Sequence, residues 1–174
     1  FFSVANKQEI FKFFLHLLGL CNYHPSAGSC KFLLLLPTKM KVQSIFVNLP
    51  VKNISETRTF WQNLGFSFNE QFSDENALCL VLAEGQMYAM LISHALFATF
   101  TNRPIADGST TQVLTALQVE SREQVDSLVA LALANGASRY RDGADHGWMY
   151  YDCFSDLDGH QWEILFTDSN QSPE

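Results

Sequence analysis

The sequence predicts an α+β fold made of two tandem βαβββ modules, whose curved mixed sheets surround a cavity. The order strand, helix, strand, strand, strand occurs twice, each time over about fifty residues. In both halves a glycine-containing turn, at 84–86 and at 156–159, leads directly into an alternating strand. Because each module has one helix-covered sheet face, two modules must pair to enclose the other faces. The space between the paired sheets is the expected ligand cavity.

Residues 42–93 form the first predicted module. Its first strand alternates, and one face carries Ile45, Val47, Leu49 and Val51. A helix follows, with Asn53 as its N-cap, Glu56 as the second residue of a capping box and Gly65 at its end. Three strands are predicted after the helix, at 66–70, 77–83 and 87–93.

Residues 94–111 are predicted to be a linker, and residues 112–167 repeat the pattern as the second module. A strand at 113–119 precedes a helix that Ser121 caps and Gly136 ends. The apolar face of this helix consists of Val125, Leu128, Val129 and Ala132. The remaining strands are predicted at 137–141, 148–154 and 161–167.

Residues 1–39 differ in character from the rest of the chain. They hold two apolar runs, 11–20 and 32–36, and each is shorter than the roughly 20 residues that a membrane helix needs. Met40, followed by Lys41 and a clean strand, is typical of a natural start. We therefore interpret residues 1–39 as an N-terminal extension and 40–174 as the functional domain. A targeting signal and an added helix that covers an apolar surface are the alternatives.

Charge and cysteine content exclude several classes of partner. Residues 40–174 carry seven positive and seventeen negative side chains, so no basic stripe is available for nucleic acid, and an anionic membrane surface would repel the domain. The four cysteines have neither CxxC spacing nor zinc-finger histidines. We expect them to be reduced and buried, which indicates a cytoplasmic protein.

Three segments of this chain resemble the vicinal oxygen chelate superfamily, which includes glyoxalase I, extradiol dioxygenases, and bleomycin- and fosfomycin-resistance proteins. The segments are 46–53 (FVNLPVKN), 59–66 (TFWQNLGF) and 156–163 (DLDGHQWE). The resemblance covers residues 42–167, and within it 72–76 and 149–150 are most similar to bacterial glyoxalase-like proteins described as predicted lactoylglutathione lyases. The resemblance implies a small-molecule ligand and a homodimer.

Metal-dependent members of that superfamily place ligands at four equivalent positions, on the first and last strands of each module. The resemblance puts these positions at Phe46, Met90, Leu114 and Glu163. Only a carboxylate among them can bind a hard divalent ion, so we expect neither a metal nor another cofactor.

Glu163 is the main candidate for chemistry. Desolvation beside apolar neighbours would make its carboxylate a usable general base; the alternative is a structural carboxylate bonded to a tyrosine or to the backbone. His146, in a glycine-containing loop, is the candidate for a mobile acid or base. Seven residues are expected to contact the ligand: Phe46, Asn48, Tyr88, Met90, Leu114, Tyr150 and Gln161.

The sequence therefore predicts a glyoxalase-like small-molecule-binding protein, with a metal-independent lyase or isomerase activity centred on Glu163 as a lone acid or base. Three alternatives stay open. One is a metal-dependent lactoylglutathione lyase or dioxygenase with an atypical ligand set, such as Glu163 with His146 or His94. The second is a drug- or antibiotic-binding resistance protein without catalysis. The third is a structural or regulatory subunit in which large side chains fill the space between the sheets.

Overall fold

The computed structural model describes residues 42–111 and 113–171. The predictions for residues 1–39, and those for Cys21 and Cys30, lie outside the described residues. Within them, two mixed sheets of three and four strands carry one long helix each. The predicted fold class, α+β with two βαβββ-type modules, is confirmed. The sheets do not close into a barrel among the described residues.

The first module contains β1 (Ile45–Val51), α1 (Ile54–Asn63), β2 (Ala77–Ala83) and β3 (Met87–Ser93). β3 lies in the middle of the sheet, parallel to β1 and antiparallel to β2. The side chain of Asn53 accepts hydrogen bonds from the backbone N–H groups of Ser55 and Glu56, as the predicted N-cap should. Gly65 follows the end of α1 with a φ of 91°, a conformation that favours glycine.

A short helix, α2 (His94–Phe97), lies within the predicted linker. The second module contains β4 (Leu114–Gln118), α3 (Arg122–Ala134), β5 (Ala144–Asp145), β6 (Met149–Ser155) and β7 (Gln161–Thr167). Its strand order is β4-β7-β6-β5, with β4 parallel to β7. The Ser121 side chain accepts from the N–H of Gln124 and caps α3, as predicted.

Two predicted strands are wrong. In the first module, residues 66–70 make only the isolated bridge of Phe68 with Leu80, and a 3-10 turn, Glu70–Phe72, follows. Asn69 caps this turn by accepting from the N–H of Gln71, so side chains satisfy backbone groups that a strand would have paired. In the second module, residues 137–141 make only the bridge between Ser138 and Ser155.

The hydrophobic core lies between the helices and the sheets and includes side chains from both modules. The rings of Trp61 in α1 and Trp162 in β7 pack edge to face, with centroids 4.7 Å apart. The rings of Phe60 in α1 and Phe154 in β6 also pack edge to face, with centroids 6.3 Å apart. A shared core of this kind holds the two modules together through their helix-covered sides.

The turn at 156–160 also joins the modules. The carboxylate of Asp158 accepts from the N–H of Lys52 at 2.9 Å, and Nε2 of His160 lies 2.8 Å from the carbonyl oxygen of Pro50. The turn that begins β7 is therefore fixed against the end of β1.

Across the described parts of the chain, no helix combines the length and the apolar character that a bilayer crossing requires. The longest, α3, has 13 residues.

Candidate functional site

Each sheet has a face turned away from its helix, and we call these two surfaces the open faces. Strand alternation places Phe46, Asn48, Tyr88 and Met90 on the open face of module one, and Leu114, Tyr151, Gln161 and Glu163 on that of module two. Met90 lies opposite Cys79, and Glu163 lies opposite Cys153. The matching registers show that Met90 and Glu163 hold equivalent places in the two modules.

The open face of module one is apolar and aromatic. The rings of Phe46 and Tyr88 stack with centroids 4.9 Å apart and an interplanar angle of 13°. The Tyr88 hydroxyl accepts from the N–H of Gly85 at 3.0 Å, so the turn before β3 already uses it. Met90 is half-buried, whereas Asn48 is exposed. This surface offers a flat apolar contact and one amide, that of Asn48.

The open face of module two carries a charged group that we call the Arg141–Glu163 pair. Nη2 of Arg141 donates to Oε1 of Glu163 at 2.7 Å. The same guanidinium lies over the ring of Tyr151, 5.0 Å from its centroid. The imidazole of His146 also stacks on this ring, with the two ring centroids 6.0 Å apart. The structure therefore brings the two predicted acid–base residues, Glu163 and His146, into one series of contacts.

Glu163 is consequently not a lone acid. Its side chain retains 22% of its exposure and that of Arg141 retains 50%, so the pair is only partly desolvated and solutes can reach it. The premise that apolar neighbours alone surround the carboxylate is wrong, because a cation from the segment before β5 compensates its charge.

The segment at 139–143 holds Arg141 in this position. The thiol of Cys153 donates to the carbonyl oxygen of Arg141 at 3.0 Å. Gly143 passes so close to β6 that a Cβ atom at this residue would lie 2.4 Å from the carbonyl oxygen of Tyr151. Two residues beyond the segment, Arg122 of α3 bonds Asp145 through both carboxylate oxygens. Before Arg141, Ser138 forms its bridge with Ser155 of β6, so the backbone that carries Arg141 is fixed against β6 on both sides of that residue.

Tyr140 adds a buried polar atom beside the pair. Its hydroxyl has no hydrogen-bond partner among the described residues. Burial, followed by the neighbouring Cys153, raises the pKa of Tyr140 well above its usual range. This hydroxyl therefore stays protonated near neutral pH, and its burial keeps it out of the reach of solutes.

The other predicted site residues lie in different surroundings. Gln161 accepts from the hydroxyl of Thr111 at 2.7 Å, so the end of the linker lies against the open face of module two. Leu114 is 49% exposed at the start of β4. His94 begins α2 and is half-buried.

Tyr150 lies on the opposite, helix-covered side of β6. Its hydroxyl donates to Asp126 of α3 at 2.7 Å, and the guanidinium of Arg122 lies over its ring. The structure therefore separates Tyr150 from Glu163 and places its neighbour Tyr151 beside the Arg141–Glu163 pair instead.

The residues at the family's metal positions do not fit a divalent ion. Phe46 and Leu114 offer only carbon, Met90 offers a thioether, and the carboxylate of Glu163 is bonded to Arg141. Across residues 42–111 and 113–171, no group of three or more His, Cys, Asp or Glu side chains is arranged to hold a metal.

Sequence reasoning missed Arg141 and Tyr140. Both belong to the stretch predicted as a strand, and their only signal was a cation and an aromatic residue shortly before the loop of His146. The contact with Glu163 spans 22 residues of sequence. No local periodicity reports a pairing of that kind.

The family model of the Glyoxalase/Bleomycin resistance protein/Dioxygenase superfamily matches residues 43–164. This chain belongs to that superfamily, as its two modules and open faces suggested. No curated protein matches it significantly.

Several solved structures share this fold. A hypothetical protein from S. aureus is 25% identical, with a TM-score of 0.63 over 73% of this chain and 95% of that one. A glyoxalase/bleomycin resistance protein/dioxygenase family enzyme from Burkholderia phytofirmans PsJN is 22% identical, with a TM-score of 0.58 over 71% and 97%. The fosfomycin resistance protein FosX from Listeria monocytogenes is 19% identical, with a TM-score of 0.53 over 76% and 97%.

Proposed function

We propose that this protein is a metal-independent small-molecule-binding member of the superfamily, and that its ligand occupies the open face of module two. One observation carries the proposal: the carboxylate at a family metal position is bonded to Arg141, while the other three positions hold Phe46, Met90 and Leu114. An arginine–carboxylate pair recognises polar organic groups directly, without an ion between protein and ligand.

Glu163 is the group of this face that can exchange a proton with a bound molecule. A lyase or isomerase reaction needs such a group within hydrogen-bond reach of its substrate. His146 is the second candidate for proton transfer, because its stacking on Tyr151 keeps it beside the pair.

We also propose that the functional unit is a homodimer. β1 and β4 each form one edge of their sheet. Large apolar side chains are exposed where these strands begin. They are Ile45 at 53% and Phe46 at 50% in β1, Leu114 at 49% in β4, and Val113, directly before β4, at 57%. A second copy of the chain that covers these edges would remove this surface from water and enclose the open faces.

The test is a titration of the ¹⁵N-labelled full chain with a mixture of neutral and charged aromatic fragments, without added metal. The proposal predicts amide shift changes concentrated around Arg141, Tyr151 and Glu163. Glu163→Gln should abolish the shift changes that the neutral fragments cause and leave the melting temperature nearly unchanged. Glu70→Gln is the matched control, because Glu70 makes the same kind of pair with Arg58 on the helix-covered side.

Calorimetric titration with Ni²⁺, Mn²⁺ and Mg²⁺ completes the test. Stoichiometric binding that Glu163→Gln removes would contradict metal independence and support a lyase or dioxygenase with an atypical ligand set. Loss of folding in Glu163→Gln would instead identify a structural carboxylate. Fragment binding without any turnover would favour a sequestering protein of the resistance type.

A further inference from the structure

We infer that the Arg141–Glu163 pair selects neutral ligands that carry a carbonyl acceptor next to an N–H donor, which is the edge of a carboxamide or a lactam. This inference rests on the proposed function, since it names the chemical class of the ligand at the same face. It depends on three observations: the hydrogen-bonding capacity left over in the pair, its net charge, and the aromatic groups beside it.

The pair retains unused donors and acceptors. A guanidinium has five N–H donors, and the bond from Nη2 to Glu163 is its one side-chain hydrogen bond within the described residues. Glu163 likewise uses only Oε1 among these residues, so Oε2 can accept. The side chains are 50% and 22% exposed, and a ligand can therefore reach both.

The unused N–H donors of Arg141 and the unused acceptor Oε2 of Glu163 lie side by side, because the two side chains are already bonded to each other. A ligand edge that accepts from Arg141 and donates to Glu163 must carry its own acceptor and donor on neighbouring atoms. A carboxamide or lactam has this arrangement, whereas a carboxylate offers two acceptors and an amidine offers two donors.

The charge of the pair agrees with this choice. The positive guanidinium and the negative carboxylate balance each other. An anion is therefore repelled by Glu163 as much as it is attracted by Arg141, and a cation is repelled by Arg141 as much as it is attracted by Glu163. Asp142, which follows Arg141 in the sequence and is exposed, further disfavours anions. A neutral polar group suffers neither repulsion.

Aromatic groups beside the pair favour a flat ligand. The Tyr151 ring is packed against the guanidinium of Arg141 and the imidazole of His146. Planar groups in this arrangement present faces on which a ring attached to the amide can stack.

Benzamide, benzoate and benzamidine test the inference, because they share one ring and differ only in the polar edge. The experiment is a ¹⁵N–¹H titration of the full chain with each compound, read at the amides of residues 139–143, 151 and 163. Benzamide should bind at least about tenfold more tightly than the other two, the equivalent of one hydrogen bond to a charged group.

Substitutions in the pair should change the preference in opposite directions. Glu163→Gln leaves Arg141 as an unopposed cation, so benzoate should become the preferred ligand. Arg141→Gln leaves Glu163 as an unopposed anion, so benzamidine should become preferred. Arg58→Gln should keep the wild-type order, because Arg58 pairs with Glu70 away from the open faces.

Three results would overturn the inference. They are equal binding of the three compounds, an order that neither substitution changes, and no binding of benzamide. The first two would leave the proposed function intact, since the ligands would still bind at the pair. The third would leave it intact as well unless the broader fragment mixture also fails to perturb this face, in which case the proposed function fails too.

Discussion

Replacement of Asp156 by alanine should destabilise the protein by about 3 kcal/mol, because this carboxylate organises the turn that begins β7. It is a buried charged residue, with 8% of its surface exposed. Its Oδ1 accepts from the N–H groups of Asp158 at 3.0 Å and His160 at 2.9 Å. Its Oδ2 accepts from the indole Nε1 of Trp162 at 3.0 Å.

The magnitude follows from what each donor does after the substitution. The two backbone N–H groups belong to a turn, where water can replace part of the lost bonding. The indole N–H of Trp162 lies in the core, and an unsatisfied buried donor costs about 1–3 kcal/mol. Each of the two partly compensated backbone bonds adds about 0.5–1.5 kcal/mol, and removal of the charge also removes its own desolvation cost, so the total is about 3 kcal/mol.

The assay is urea unfolding of the full chain, followed by tryptophan fluorescence and by circular dichroism. Asp158→Ala is the control, because Asp158 accepts a single exposed N–H, that of Lys52, and its loss should cost about 1 kcal/mol or less. If Asp156→Ala costs no more than Asp158→Ala, the argument that the buried carboxylate holds the turn is refuted.

Three further predictions follow from other contacts. Gly143→Ala should lower stability by about 2 kcal/mol in urea unfolding, since its Cβ would meet the backbone oxygen of Tyr151; an unchanged midpoint would contradict the close approach. The hydrogen bond with Arg122 lowers the pKa of Asp145, so its stabilising contribution is present above the ordinary pKa of about 3.9 and is lost as the pH falls through the lowered value. Asp145→Asn should therefore reduce the melting temperature at pH 7 but not at pH 2, and an equal reduction at both would refute the assignment. Phe46→Asp should convert a dimer into a monomer in light scattering, whereas a monomeric wild type would exclude the proposed homodimer.

Local sequence patterns predicted much of the fold because they act over short distances. The N-caps at Asn53 and Ser121 and the glycine after α1 each depend on a few neighbouring residues. The long strands β2, β3, β6 and β7 follow from runs of seven residues that are rich in apolar and aromatic side chains and lie between turn residues. The two wrong strands are those where side-chain bonds and a close backbone approach compete with ladder pairing.

The candidate site was less predictable, because its geometry depends on contacts between distant segments. Nothing near Glu163 in the sequence indicates that Arg141 lies beside it. Which of two adjacent tyrosines faces the site was equally hidden, since Tyr150 is fixed by Asp126 on the helix and Tyr151 by the cation on the other side. Strand alternation shows that Tyr150 and Tyr151 lie on opposite faces of β6. Only their contacts with Asp126 and Arg141 show which of the two lies on the open face.

Anomalous diffraction from crystals of the full chain grown with Mn²⁺ and benzamide distinguishes amide binding from metal binding at Glu163. We expect the amide to be bonded to Arg141 and Glu163, with no manganese peak within coordination distance of that carboxylate. A manganese ion held by Glu163 together with nitrogen or oxygen donors from both modules would contradict this expectation.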